Sequence, residues 1–344
     1  MIELLIEEFQ GQHVDIFTED ETVPFYRQLG LETARRRCRQ SDWRMAKISV
    51  TQRAIWRILS GIDLSQSGKV PMITSAKDHG LTPEEKTFYK ENGYLLAKSV
   101  FTRKEAEHFR NETHQITQRL QAADIEGVSN EGWGAGAKVT DLPRELLHCH
   151  NVQYQSAALT RLISDPRLTD RAADIIGPNI QLHHTKMFIK PPEKGAPFPM
   201  HQDVPYFPHE NHSMIAAIIH FDDAPIEKGC VRVVPGSYKR GPLEHLHDGG
   251  HHLPVEEYPV AGATPCPAEA GDVLFFSYLT IHGSGLNESQ QARTTLLVQM
   301  RDPADLPTAD VHISRGQGMI LRGIDPLANA QPGVDSAKRK IVAA

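Results

Sequence analysis

Met200-His201-Gln202-Asp203 sets an imidazole and a carboxylate two residues apart. Side chains alternate along an extended strand, so His201 and Asp203 are expected to share one side. Together they can take two adjacent positions on a metal ion, and a third ligand must come from elsewhere. His282, in Leu279-Thr280-Ile281-His282-Gly283-Ser284-Gly285, is the natural candidate. It follows the apolar run Asp272-Val273-Leu274-Phe275-Phe276, which the turn Glu269-Ala270-Gly271-Asp272 introduces. Two histidines and one carboxylate on one face leave three coordination positions open, the ligand set of non-haem Fe(II) oxygenases. Arg293 heads the run Thr294 to Met300 and can pair bidentately with a carboxylate ligand beside the metal. A buried arginine paired with an internal acid is the competing explanation of that residue.

The elements that must hold these residues are short strands. From Ile180 onward the candidates are Gln181–Ile189, Ser213–Phe221, Val231–Val234, Asp272–Ser277 and Thr294–Met300, separated by Pro and Gly turns such as Pro191-Pro192 and Pro235-Gly236. Many short strands with such turns predict an antiparallel barrel or jelly roll. Helices come before it. Thr82-Pro83-Glu84-Glu85 starts one, which stops at Asn92-Gly93, and Tyr94-Leu95-Leu96-Ala97 follows as a strand. Thr102-Arg103-Lys104-Glu105 starts a second helix running to about Ala123. A third helical region spans Ser156 to Ile176, broken at Asp165-Pro166. The glycine-rich stretch Gly127 to Gly136 lacks the strand and helix of a dinucleotide loop and reads as a mobile loop or lid.

Residues 1–75 have a different texture. Asp20 to Gly30 reads as a turn, a short helix and a glycine stop, and Ser41 to Leu59 has helical spacing. Gly61 to Gly80 reads as a linker. His13 to Leu31 weakly resembles the last strand and helix of a GNAT-type N-acetyltransferase. That fold's acetyl-CoA pyrophosphate loop is missing, so no acetyltransferase activity follows, and an N-terminal extension is expected.

Composition excludes several classes. The 344 residues carry 37 basic and 43 acidic side chains, a net charge of −6, with 40% hydrophobic and 23% charged residues, as in ordinary soluble domains. No run approaches the ~20 apolar residues of a membrane helix. Met1 to Gln10 carries Glu3, Glu7 and Glu8 and lacks the basic start of a secretory signal. Mild acidity argues against a nucleic-acid surface, and the short run Arg35-Arg36-Arg37 with Arg39 reads as a solvated helix face. Cys38, Cys149, Cys230 and Cys266 show no CxxC spacing and fit reduced thiols in a cytoplasmic protein. Eleven of the 18 histidines fall between His183 and His282.

Taken together, His201-Gln202-Asp203, Tyr206-Phe207-Pro208, Gly229-Cys230, Val233-Val234-Pro235-Gly236-Ser237, and His282 with Ser284 and Arg293 resemble the phytanoyl-CoA dioxygenase family over roughly Leu81 to Pro303. The resemblance implies a mainly β chain with flanking helices and a double-stranded β-helix core, at about 180–302 of a dioxygenase domain at 80–305, before a tail at 306–344. It implies Fe(II) held by His201, Asp203 and His282, and 2-oxoglutarate as cosubstrate, its far carboxylate clamped by Arg293 with Ser284. O2 is consumed, and ascorbate is expected to support activity. Lys138 matches a family lysine near the cosubstrate, and Lys186 takes a strand position lining the same pocket. An aspartate at 203 favours hydroxylation over the halogenation of relatives that carry a small residue there. Many family members place a tryptophan on the strand after the HxD motif, where this chain has Ile218 and Ile219.

The reaction class so implied is hydroxylation of an aliphatic C–H bond of a small molecule, releasing succinate and CO2. No basic cluster for CoA phosphates stands out, which favours a small molecule over an acyl-CoA thioester. Tyr206, Phe207, His209 and His212 follow the metal motif and are candidates for the pocket entrance, as are His183, His184 and His220 for its wall. Asp248 to His252 is a second candidate lid. His245, His247, His251 and His252 are weighed as a second metal site against a solvated polar loop, which the composition favours. Two alternatives stand beside the oxygenase: a zinc or manganese hydrolase or isomerase on the same barrel, which needs neither Arg293 nor 2-oxoglutarate, and a non-catalytic barrel, which the intact triad opposes. No nucleic-acid or membrane partner is expected. Val342-Ala343-Ala344 is not a peroxisomal Ser-Lys-Leu signal.

Overall fold

The computed structural model describes residues 14–19, 32–35, 45–50, 79–122, 129–131, 136, 138–141, 145–309 and 314–327. The chain divides into two units, Met1–Ala76 and Lys77–Ala344. In the first, β1 (Val14–Glu19), β2 (Glu32–Arg35) and β3 (Met45–Val50) form an antiparallel sheet in the order β1-β3-β2. The helix expected over Ser41–Leu59 therefore gives way at Met45–Val50. Ile48 and Val50 are β-branched and favour extended backbone, and pairing of β3 on both sides outweighs the helical spacing. The short helix expected at Asp20–Gly30, the basic run past Arg35, Cys38 and most of the linker lie outside the described residues, as does most of Gly127–Gly136.

The second unit opens with helices whose ends are written locally. In α1 (Pro83–Asn92) the Thr82 hydroxyl accepts from the Glu85 amide while the Glu85 carboxylate accepts from the Thr82 amide, and Pro83 fills the first turn. Gly93, at φ +74°, ends the helix, its N–H donating to the Tyr89 carbonyl. The strand β4 (Tyr94–Ala97) leads to α2 (Arg103–Ala122), which buries Ala106, Thr113, Ile116, Thr117 and Leu120 at helical spacing. After β5 (Ser129–Glu131) and β6 (Glu145–His150), the third helical region is two helices, α3 (Ala157–Ile163) capped by Ser156 and α4 (Pro166–Ile176) capped by Asp165. The expected break at Asp165-Pro166 is the junction, because Pro166 cannot continue a preceding helix.

The rest is antiparallel sheet: β7 (Ile180–Lys190), β8 (Phe198–His201), β9 (Ile215–His220), β10 (Val231–Val233), β11 (Thr264–Pro265), β12 (Val273–Ser277), β13 (His282–Ser284), β14 (Arg293–Arg301) and β15 (Ile320–Arg322). The large sheet runs β4-β12-β9-β14-β7-β6-β5, with β15 also on β7, and the small one β11-β10-β13-β8. Thus the chain beyond residue 305 is not only a tail, since Ile320 and Arg322 pair with Gln181 and Ile180.

Period-two alternation sorts the large sheet's side chains onto two faces. Val273 and Phe275, Ile215, Ala217 and Ile219, and Leu296 and Val298 join the helices in the main core. Leu274, Phe276, Ala216, Ile218 and Leu297 face the opposite way, into a second cluster with Val231 and Val233 of the small sheet. The helices thus back one face, and the site lies between the two sheets, as in a double-stranded β-helix.

Candidate active site

β8 and β13 lie side by side, and His282 is the register partner of His201. Gly283 permits this approach: a Cβ there would sit 2.6 Å from the Phe198 carbonyl oxygen. The two imidazoles stand with ring centroids 4.2 Å apart. Each spends its Nδ1–H on a carbonyl, His201 on Pro199 at 2.8 Å and His282 on Thr280 at 3.0 Å. A carbonyl only accepts, so both Nδ1 atoms are donors and both Nε2 lone pairs face the centre. Burial, with His282 close by, pushes the His201 pKa down to about 3, and burial pushes His282 down to about 4, so both rings stay neutral and ready to ligate.

Asp203 completes the group, but not from the strand. β8 ends at His201, and Asp203 occupies the bend after it, its amide bonded to the Tyr278 carbonyl at 2.9 Å. One carboxylate oxygen lies 3.8 Å from His201 Nε2 and 3.7 Å from His282 Nε2. The other accepts from Gln299 Nε2 at 2.8 Å, which holds the carboxylate plane. The three ligand atoms lie within 4.8 Å of one another, and this is the one such cluster among the described residues. Two neutral imidazoles and a carboxylate, with no thiolate, suit Fe(II).

The motif is clamped from outside by the loop after Arg240. Gln202, fully buried, donates to the Gly241 and Leu279 carbonyls and accepts from the Leu243 amide. Its own amide donates to His245 Nε2 at 2.9 Å, while His245 Nδ1 donates to the Leu243 carbonyl. His245 is thereby a strut. His247 and His251 pair with each other through their Nδ1 atoms at 2.7 Å, and the His251 amide donates to the Tyr206 hydroxyl. The loop is solvated only in part: His247 is exposed, but His245 and His252 are buried, and no ligand cluster among the described residues includes them.

A cavity of about 530 Å³, solvent at its mouth included, opens beside the triad. Phe188, Phe198, Ile218, Phe276 and Leu297 give it apolar walls, and Ser284 and Arg293 form its polar end. Of the two positions where the family often has tryptophan, Ile218 faces this cavity and Ile219 the helix-side core. Arg293 is 3% exposed. Its guanidinium donates to the carbonyl of Gly229, a residue at φ +65° whose Cβ would strike the Gly285 and Leu286 carbonyls. Its Nε has no partner, and no carboxylate lies within ion-pair distance among the described residues. Burial lowers its pKa to about 10, which leaves it charged at neutral pH. A buried, unpaired arginine at the wall of a cavity is built to receive an anion.

The lysines divide differently from expectation. Lys138 is solvent-exposed and ion-paired with Asp248, away from the cavity lining, because the loop carrying it meets the loop of His247 rather than the sheet interior. Lys186 is half-buried, with Nζ 5.0 Å from the Phe188 ring, and burial lowers its pKa to about 8 against the pull of Asp203. It borders the site without lining the cavity. A third lysine, Lys190, does not line the cavity either but lies behind its polar end, fully buried, donating to Ser284 Oγ at 2.8 Å and the Gly285 carbonyl at 2.6 Å. Nothing in Lys190-Pro191-Pro192 announced that role. Lys190 and Arg293 become register partners only once β7 and β14 pair. Gln299 escaped notice for the same reason.

Among the proposed wall residues, His183 and His184 contact each other through Nδ1 at 2.7 Å and pack on Phe207, and His209 donates to the Phe207 carbonyl. His212 bonds the Tyr278 hydroxyl. His220, fully buried, lies outside the cavity lining.

A double-stranded β-helix carrying two histidines, one aspartate and a cationic cavity end defines a non-haem iron, 2-oxoglutarate-dependent dioxygenase. A family model for phytanoyl-CoA dioxygenase (PhyH) matches residues 89–295, and the chain belongs to that family. Peroxisomal phytanoyl-CoA dioxygenase of Bos taurus is 31% identical over 236 residues, covering 64% of this chain and 69% of that protein. L-proline trans-4-hydroxylase of Streptomyces griseoviridis is 28% identical over 208 residues, covering 54% and 75%. Among solved structures, the non-haem α-ketoglutarate-dependent carbocyclase SnoK from nogalamycin biosynthesis shares the fold, with a TM-score of 0.56 at 23% identity, over 70% of this chain and 93% of that one.

Proposed function

We propose that this dioxygenase hydroxylates an aliphatic C–H bond of a small molecule at a site where His201, Asp203 and His282 hold iron and Arg293, with Ser284, takes the far carboxylate of 2-oxoglutarate. The observation that carries this reading is the pairing of a convergent His-Asp-His set with an unpaired buried arginine across one cavity. Iron(II), when bound there, supplies oxygen activation and the C–H oxidation, and 2-oxoglutarate leaves as succinate and CO2.

The chain's own groups do the rest. The Pro199 and Thr280 carbonyls fix the ring tautomers of His201 and His282. Gln299 holds Asp203, and Phe188, Phe198, Ile218 and Phe276 give the cavity apolar walls. A small substrate, as the name of the proline hydroxylase relative states for that protein, is supported by the modest cavity. A cytoplasmic setting belongs to the same reading and is supported by the free, buried Cys149, Cys230 and Cys266. Among the described residues no helix is long and apolar enough to cross a membrane.

The test is succinate formation from 2-oxoglutarate by the Fe(II)-loaded chain across a panel of small amino acids, zwitterions and acyl-CoA thioesters. Turnover raised by a small molecule and not by thioesters is expected. A chain that never consumes 2-oxoglutarate, with or without substrate, defeats the proposal.

A further inference from the structure

Lys190 sits at the end of β7 directly opposite Arg293 on β14. Both are buried, and neither has a carboxylate within ion-pair distance among the described residues. The Lys190 ammonium donates to Ser284 Oγ and the Gly285 carbonyl and stands 5.4 Å from the Phe198 ring centroid. The other titratable groups beside the two cations are the Cys230 thiol, which burial keeps protonated, and His220, which burial and the Arg293 charge keep neutral. The strand end is locked in place: Asn287 donates to the Lys190 and Pro191 carbonyls, and a Cβ on Gly195 would lie 2.7 Å from Lys190 Cβ.

An apolar side chain would serve packing here at lower cost, because two unpaired buried cations side by side repel and lose hydration. Burial and the Arg293 charge both push the Lys190 pKa well below its ordinary value. An anion in the cavity against Arg293 and Ser284 offsets both effects. The hydrogen bond to Ser284 adds direction. With an anion in place the amine is held protonated, and an ammonium has only donors, so the Ser284 oxygen is then the acceptor and its own hydrogen is free for another partner. Ser284 and Arg293 both line the cavity.

We propose that Lys190 is a positioning residue for the cosubstrate: it turns the Ser284 hydroxyl toward the distal carboxylate and, with Arg293, makes the cavity end select a 2-oxo dicarboxylate over a 2-oxo monocarboxylate. This rests on the 2-oxoglutarate reading above.

Anaerobic calorimetric titration of the Mn(II)-loaded full chain with 2-oxoglutarate and with 2-oxobutyrate, which lacks the distal carboxylate, separates the two ideas. Wild type is expected to prefer 2-oxoglutarate. Lys190→Met is expected to lose roughly tenfold of that preference, as for one charge-assisted hydrogen bond, with 2-oxobutyrate binding little changed. Lys190→Gln, which keeps a donor for Ser284, recovers part of the loss. The metal-free Lys190→Met chain melts close to wild type, because the two hydrogen bonds lost are offset by removal of a buried cation without a counter-ion. An unchanged preference in Lys190→Met overturns the proposal, and so does failure of both variants to fold, which makes Lys190 a structural residue. Failure of wild type to bind 2-oxoglutarate at all strikes the underlying reading instead.

Discussion

His201 and His282 are cross-strand partners whose rings stand 4.2 Å apart, each with Nδ1 committed to a backbone carbonyl two residues before it in the chain. The pairing of β8 with β13 therefore fixes both the positions and the tautomers of the two imidazoles. Asp203 is added from the following bend, and Gln299 reaches across from the large sheet to hold it. Metal affinity in this arrangement depends on groups that are not themselves ligands.

Gln299→Leu removes the hydrogen bond to Asp203 while keeping bulk. Metal affinity is expected to fall roughly 10- to 100-fold, the usual cost of losing a ligand's hydrogen-bond partner. Competitive chelator titration measures it. Wild-type affinity in the variant would mean that Asp203 is positioned by its backbone alone.

Arg293→Ala leaves the triad intact and empties the polar end of the cavity. The 2-oxoglutarate concentration for half-maximal turnover is expected to rise roughly 10- to 100-fold, from about 1.5–3 kcal/mol per charge-assisted hydrogen bond, with Fe(II) affinity unaltered. An unchanged 2-oxoglutarate dependence removes the clamp from Arg293.

His245→Ala cuts the bond from the Gln202 amide and leaves that buried donor unsatisfied, a cost of about 1–3 kcal/mol. Limited proteolysis should cleave between 241 and 252 faster than in wild type. Equal cleavage rates would show that the Gln202 side chain holds the loop without help.

Glu105 binds Arg167 across α2 and α4, and this partner holds its carboxyl down to about 2 from the ordinary 4.5. The folded state therefore binds this proton less readily than the unfolded chain. The stabilisation is complete above about pH 4.5 and is lost as pH falls toward 2. Melting temperatures of wild type and Glu105→Gln should differ above pH 5 and converge on acidification. A gap that widens in acid reverses the sign of this linkage.

The elements were legible where local chemistry writes them. Thr82, Asp165-Pro166 and Gly93 mark their helix ends in sequence, and β7, β9, β12 and β14 show as apolar runs between Pro and Gly turns. The triad was legible because His201 and Asp203 are only two residues apart and His282 follows a strong strand. Three-residue β13 and four-residue β8 were not, being too short for periodicity to register. Gln299, Lys190 and His245 were also hidden, because their partners lie 96, 94 and 43 residues away and meet only through sheet register or loop return. Lys138 is the opposite case: a local match to a family lysine does not reveal that its side chain is exposed and ion-paired with Asp248. β3 shows tertiary pairing overriding an apolar spacing that also fits a helix.

The most direct test is an anaerobic titration of the Fe(II)-loaded chain with 2-oxoglutarate, read by visible absorption. A weak charge-transfer band should grow in and saturate for wild type, and be absent in Asp203→Ala. No band in wild type, or the same band with Asp203 replaced, would contradict the assignment of His201, Asp203 and His282 as the iron site.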